Sequence, residues 1–409
     1  MTETRPQRTG RARRLSTLLV FCSLCGVVTE ASAQEPAAPV AISATQLRAA
    51  IDKLSDLDYA TRMKAAQTIR RAETAPAVQA LLQAVAEHGD GYVRYRALVL
   101  LTGFNDPRTR DAMRESLKSP NDRLRAVAYS YFEHNPDLSL QNDFLSALEK
   151  EQGEFVRPAV VRAVSALVAK TGDQRLRQTI VREATRGEDF FRSVVVEALG
   201  DYKAQYAYDT VTAIAKLDGP LQDDAALALG KIGDKRALET LAGLQRSAPR
   251  QYQPSVAAAI CLLGINCSSH VNFLIESLKF SDKNIGFQEL LRGAAAGLGT
   301  LGVLGHDEAL DALIEVGIPS RDPTRAPVAL AVATIALRNT PLVMKKLEST
   351  TDKSVLDGAL GLLAEGFDML EEDLDKERFF VLVRRTYWDA SAGTPRRALM
   401  QTLIGKLEF

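Results

Sequence analysis

The sequence predicts an all-α solenoid, and three observations predict it. A unit of helix, tight turn and helix recurs from about Asp58 to the C-terminus at a spacing of roughly 30 to 40 residues. Apolar residues follow helical spacing, and no long Val/Ile/Thr alternation supports a sheet. Gly219 to Gln245, GPLQDDAALALGKIGDKRALETLAGLQ, shows the unit most clearly: an Ala/Leu-rich helix, a Gly-Asp turn and a second helix. One such pair cannot bury its apolar face alone, whereas stacked copies bury it against each other.

The chain begins with a positive segment, Arg5, Arg8, Arg11, Arg13 and Arg14, followed by the apolar run Leu15 to Val28 and by Ala31-Ser32-Ala33. Residues 1–33 resemble a secretory signal peptide cleaved after Ala33, which places the mature chain in the periplasm or outside the cell. The alternative is an uncleaved anchor, although the apolar run falls short of the ~20 residues a spanning helix needs. Residues 34–44, QEPAAPVAISA, read as a flexible linker, and residues 45–409 as the helical array. No later segment is long and apolar enough to span a membrane.

Of the 409 residues a quarter are charged, with Lys+Arg 51 against Asp+Glu 51. Beyond residue 33 the balance is 46 to 49, so no basic excess remains to attract nucleic acid. Two of the four cysteines, Cys261 and Cys267 in CLLGINC, lie in the array. They read either as a short-loop disulfide suited to an oxidising compartment or as two buried small apolar side chains. A metal site adding His270 would have scattered ligands and no fourth, so no metal is expected.

The units align on an Arg or its substitute near the start of each first helix: Arg62, Arg94, Arg125, Arg157, Arg192, Gln222, Val256, Arg292, Arg325, Leu356 and Arg396. These anchors predict about eleven units and an ion-pair ladder between them. Asp58, Asp90, Glu188 and Asp218, four residues before an anchor, read as helix caps. Gly200, Gly230, Gly264 and Gly299 read as left-handed helix ends. Asp106, Asp173, Asp234 and Asp307 open the second helices.

LQDDAALALGKIGDKRALETLAGL and DFFRSVVVEALGDY resemble the HEAT repeat, specifically the short variety first associated with phycobilin lyases, and the resemblance covers nearly the whole mature chain. It implies a right-handed superhelix whose second helices line the concave face, and it is specific for fold and poor for function. Gly286-Phe287 and Asp368 to Lys376 lengthen their units, marking bends or loops.

No catalytic constellation stands out. Gly297 to Gly302 matches GxGxxG but follows a helix, the reverse of the strand-to-helix turn that dinucleotide binding needs. His88, His134, His270 and His306 are scattered, and no serine has a nucleophile context. The chain is therefore read as a non-enzyme without a cofactor. Candidate binding residues are the aromatic groups Tyr129, Tyr131 and Phe132 with His134, the basic cluster Arg175, Arg177, Arg182 and Arg186, and Tyr202, Tyr206 and Tyr208. Phe379, Phe380, Tyr387 and Trp388 read as a capping unit. The expected function is an exported scaffold binding a protein partner on the concave face. The alternatives are an accessory lyase-like enzyme acting on a cofactor or carrier protein, or a structural subunit of a cell-envelope complex.

Overall fold

The computed structural model describes residues 40–247 and 249–409. The expected signal peptide and the first residues of the linker lie outside them. The chain forms an all-α solenoid with 22 α-helices among the described residues. In order they are α1 (Ala44–Asp52), α2 (Tyr59–Arg70), α3 (Thr74–Glu87), α4 (Gly91–Leu101), α5 (Arg108–Ser116), α6 (Asp122–His134), α7 (Gln141–Lys150), α8 (Val156–Thr171), α9 (Gln174–Glu183), α10 (Asp189–Asp201) and α11 (Tyr208–Ala215). Then follow α12 (Gln222–Ile232), α13 (Ala237–Ser247), α14 (Gln253–Leu262), α15 (Cys267–Asp282), α16 (Gln288–Val303), α17 (Asp307–Gly317), α18 (Arg325–Arg338), α19 (Thr340–Ser349), α20 (Lys353–Met369), α21 (Asp373–Asp389) and α22 (Pro395–Lys406). Ahead of α1, Val40 donates its N–H to Arg71 O at 2.9 Å.

The helices form two layers. Even-numbered helices pack on each other in sequence from α2 to α20, and odd-numbered helices on odd, as in α1 on α3 and α15 on α17. The pairs α2/α3 through α18/α19 are regular. The last units are not: α22, rather than α21, lies beside α19, and it has no following helix although Arg396 was read as an eleventh anchor.

The even layer, made of first helices, is the inner one. Glu133 at the end of α6 lies 3.9 Å from Arg338 at the end of α18, and it accepts a 2.9 Å hydrogen bond from Tyr202 just after α10. Helices so far apart in an array meet only across its inside. The expectation that second helices line the concave face is therefore corrected, and the glycines supply a reason. Gly200, Gly230 and Gly299 do not end helices: they lie within α10, α12 and α16, against Ala228, Ala259 and Ala331 of the next even helix. Missing side chains let first helices close up where curvature crowds them, so this layer takes the smaller radius. Of the four, Gly264 does adopt the left-handed conformation, with φ 77°.

The anchors hold the units together through carbonyls as well as carboxylates. A helix leaves its last carbonyls without intrahelical partners. Arg157 Nη1 donates to Leu148 O and Glu151 O at 2.9 Å, closing the end of α7, and its Nη2 reaches Glu183 in α9 at 2.8 Å. Arg94, Arg192 and Arg325 likewise donate to carbonyls of the preceding second helix. Gln222 does so with a neutral amide, to Ala215 O and Leu217 O. Near Val256 the role passes to Gln253, near Arg396 it passes to Arg397, and Arg292 makes only an exposed pair with Glu289. Asp58 and Asp90 cap their helices, whereas Glu188 makes no side-chain cap bond. Asp218 is displaced because Gly219-Pro220 intervene before the cap residue Leu221.

The apolar core is continuous along the array in two clusters, from Leu47 to Leu263 and from Ala257 to Phe409. Leu374 of α21 belongs to the first, distant in sequence. With it, α21 closes the array into a ring. Arg70 of α2 and Glu377 of α21 form a buried ion pair at 2.6 Å, and Arg96 of α4 meets Asp373 at 2.6 Å.

Candidate functional site: an inner charged network and an aromatic rim

At the C-terminal ends of the inner helices, groups from α6, α8, α10, α12, α18 and α21 converge. Arg162 of α8 lies 3.3 Å from Asp201 and 3.9 Å from Glu133. Lys231 of α12 lies 2.7 Å from Asp201, and His134 Nε2 lies 2.8 Å from Asp375. Arg338 reaches Glu372 at 3.0 Å and Asp375 at 3.9 Å. Burial works against ionisation of Asp375, yet the His134 contact and the Arg338 charge hold its carboxyl down at about 2. Burial and the Glu133 carboxylate push the Tyr202 hydroxyl well above its ordinary value, so it stays a donor. Each of these groups is tied to one on another helix. Such a network joins the walls of the ring.

Back along α10 from Asp201, and at the start of α12, the carboxylates are less compensated. Desolvation by the surrounding protein raises Glu197, an exposed residue one turn before Asp201, and the half-buried Asp223 above their ordinary values. Burial, the nearby acids Asp223 and Glu197, and only a partly offsetting hydrogen bond from Ser193 raise Asp224 to about 6.

The candidates from the sequence do not form one site. His134 and Tyr202 both belong to the inner network, His134 paired with Asp375 and Tyr202 with Glu133. Tyr129 and Phe132 are core residues packed edge-on against Phe144, and Tyr131 is half-buried against Phe132. Arg182 and Arg186 both pair with Glu183, which Arg157 also holds, and Arg182 reaches Glu149 at 2.9 Å. The basic cluster thus lies on the second-helix layer, with half its charge engaged locally. Arg177 stacks 5.2 Å from the exposed Tyr206 ring, Arg175 is exposed, and Tyr208 is buried beneath Arg236 at 4.1 Å.

A feature the sequence reading missed lies at the opposite, N-terminal ends of the first helices. Tyr59, Tyr92, Phe155 and Phe190 stand within two residues of the start of α2, α4, α8 and α10, or just before it, and are 37–57% exposed. In α6 the corresponding place holds Arg123, whose guanidinium lies 5.9 Å from the Tyr92 ring and 5.7 Å from Phe155, joining three units into one surface. The same guanidinium lies 5.6 Å from Tyr95, whose hydroxyl donates to Asp373 of α21. The rim therefore runs into the inner face. Its sequence signal is an aromatic residue one or two places after the acidic residue that precedes each helix, visible only once helix starts are fixed.

Cys261 and Cys267 are paired in a disulfide across the turn from α14 to α15. His306, rather than His270, is the histidine beside them, with Nδ1 4.0 Å from Cys267 Sγ. The three donor atoms fall within 4.8 Å of one another, but a disulfide sulfur is a poor metal ligand because the thiolate is the ligating form. The GxGxxG glycines all lie inside α16, with Gly302 against Ile335, so their N–H groups face no ligand space. Among the described residues no single helix is long and apolar enough to cross a bilayer. The α18/α19 pair qualifies only when joined through a 111° bend, and α18 is a core helix.

Taken together, the alternating layers and the repeated anchors define an α-solenoid repeat protein. Residues 47–133 match the HEAT repeats family and residues 221–245 the PBS lyase HEAT-like repeat. Those two stretches of the chain are HEAT-like repeats. The chain is similar to the solved structure of E. coli YibA, at 16% identity and TM-score 0.40 over 54% of this chain and 82% of that one. It is also similar to the CpcE and CpcF complex of phycocyanin lyase from Nostoc, at 19% identity and TM-score 0.33, covering 52% and 86%. A third likeness is to yeast importin-beta, at 11% identity and TM-score 0.40, covering 85% and 53%. No curated protein matches the chain.

Proposed function

We propose that this chain is a non-enzymatic scaffold that binds a protein partner along its inner face and the aromatic rim that opens onto it. The observation that carries this reading is the recurrence of Tyr59, Tyr92, Phe155 and Phe190 at one structural place in neighbouring units, exposed where a folded monomer gains nothing from them. Aromatic anchors beside a polar rim are what protein interfaces use. The engagement of the inner charged groups with one another supports a binding role over a catalytic one.

The periplasm or the cell exterior is the proposed location, supported by the signal-like residues 1–33 and by the Cys261–Cys267 disulfide. Affinity capture from cell-envelope extract, with the intact protein against a Phe155→Ala/Phe190→Ala variant, is the test. A protein recovered reproducibly by the former and lost by the latter supports the scaffold. Turnover of a small molecule by the purified protein without such a partner overturns it in favour of the lyase-like reading. That second reading draws on the match at 221–245, which falls on α12 and α13.

A further inference from the structure

The junctions between neighbouring inner helices close on apolar groups and backbone, as in Gly200 on Ala228, Gly230 on Ala259 and Gly302 on Ile335, with ion pairs such as Lys231–Asp201 added beside them. The junction that shuts the ring rests mainly on charge. There α21 meets α2, α4 and α6 through Glu377 on Arg70, Asp373 on Arg96 and Tyr95, and Asp375 on His134, while Arg384 donates to Arg70 O. Leu374 is the one α21 side chain that enters the N-terminal core cluster. The apolar residues of α21, Phe379, Phe380, Val383 and Tyr387, belong instead to the C-terminal cluster, where Phe380 stacks on Phe409 with ring centroids 4.1 Å apart. So α21 is fixed to the last units by apolar packing together with the Arg338 ion pairs, and to the first units mainly by charge, with Leu374 the apolar exception. The array does not need it for continuity, since α20 extends the inner layer and α22 the outer one.

We propose that this junction is a releasable clasp: the acidic edge of α21 is a ligand bound in cis, and when the ring opens there, the basic ends of α2, α4 and α6 accept an acidic amphipathic helix from a partner. The chemistry of that partner is read from what α21 presents in its first turns, namely Asp373 and Glu377 one turn apart on one face, with Asp375 and one leucine, Leu374, beside them. A buried ion pair of this kind fails when one member is removed or reversed, whereas the close Gly–Ala contacts between neighbouring repeats hold no charge to reverse. The clasp rests on the reading that the inner face binds protein, and it adds the chemistry of the partner and the device that controls access.

The test uses the purified full chain and a synthetic peptide of residues 370–389. In Asp373→Lys/Glu377→Lys the radius of gyration from small-angle X-ray scattering is expected to rise while far-UV circular dichroism keeps its helical signal. Arg70→Glu/Glu377→Arg, which restores the pair in reverse, should return the radius to the wild-type value. The opened variant should bind the peptide at least about tenfold more tightly than wild type, whose face is already occupied. An unchanged radius in the folded Lys variant overturns the clasp, as does loss of helical signal together with the opening. Opening without peptide binding overturns the acidic partner alone. None of these readouts depends on recovering a partner from envelope extract, so failure there is a separate result.

Discussion

Gly230 of α12 packs so closely on α14 that a Cβ placed on it would stand 2.4 Å from the Cα of Ala259 and 2.7 Å from its carbonyl oxygen. Backbone is in the way, and backbone in a packed array does not step aside cheaply. Gly230→Ala is therefore expected to destabilise the protein by about 1–3 kcal/mol, since overpacking costs that much where side chains cannot rotate clear. Gly243, in the outer helix α13, has nothing within 4 Å of its missing Cβ. Gly243→Ala should stabilise by roughly 0.5–1 kcal/mol through helix propensity alone. Denaturant melts of both variants check the pair, and equal effects would sink the argument that inner glycines set the curvature.

Arg157 does two jobs with one guanidinium, closing the end of α7 and meeting the buried Glu183 of α9. Arg157→Ala leaves open carbonyls and a buried carboxylate short of a partner, at a cost of about 3–5 kcal/mol. Arg292 fills the equivalent place in its unit but is exposed and paired only with the exposed Glu289. Arg292→Ala should change stability by less than about 0.5 kcal/mol. Thermal melts that ranked the two alike would show that carbonyl closure is not what the anchor supplies.

These anchors also show how far the sequence could be read. The position of Arg157 in the unit was plain from spacing, because local periodicity and caps are written into neighbouring residues. Its carbonyl partners were not, because they depend on how the preceding helix ends. The ring was hidden altogether. Arg70 and Glu377 are 307 residues apart, and nothing in either local sequence announces the other. Which layer faces inward was likewise set by the pairing of Gly200 with Ala228 and Gly230 with Ala259, a relation between units rather than within one. His134 and Tyr202 break the repeat pattern, and both join the inner network, His134 at Asp375 and Tyr202 at Glu133, which Arg338 links. Tyr129 and Phe132 broke it for packing alone.

Asp224 is raised to about 6 from an ordinary 3.8, chiefly by burial, with the hydrogen bond from Ser193 working against the rise. A folded value above the unfolded one means the native state holds the extra proton, so this group's contribution to stability falls as pH rises from about 4 through 6. Asp224→Asn removes the charge and keeps an acceptor for Ser193. The variant should be more stable than wild type at pH 7 by about 1 kcal/mol, with the advantage gone near pH 4. Asp375 has the opposite sign. Held at about 2, it contributes stability above its unfolded value that is lost as pH falls from about 4 toward 2. Melts of wild type and Asp224→Asn from pH 3 to 8 separate the two, and a constant gap across the range would rule out the titration of Asp224.

Phe155 and Phe190 are 57% and 55% exposed at the rim, with Arg123 lying against Phe155 and Phe191 against Phe190. Replacing an exposed ring that makes no cap hydrogen bond, as at the N-cap Phe155, changes folding stability by no more than about 0.5 kcal/mol, whereas truncating an aromatic anchor in an interface costs about 2 kcal/mol or more. Phe155→Ser and Phe190→Ser should therefore melt like wild type and still lose roughly thirtyfold in affinity for a partner captured from envelope extract. The core aromatic Phe132, fully buried, supplies the contrast: Phe132→Ala should cost about 3–5 kcal/mol of stability and weaken binding only as far as folding is lost. Binding measured by interferometry beside the melts decides the matter. If the Ser variants bind as wild type does, the rim is a bystander and the partner's contacts lie deeper, among the charges of the inner face.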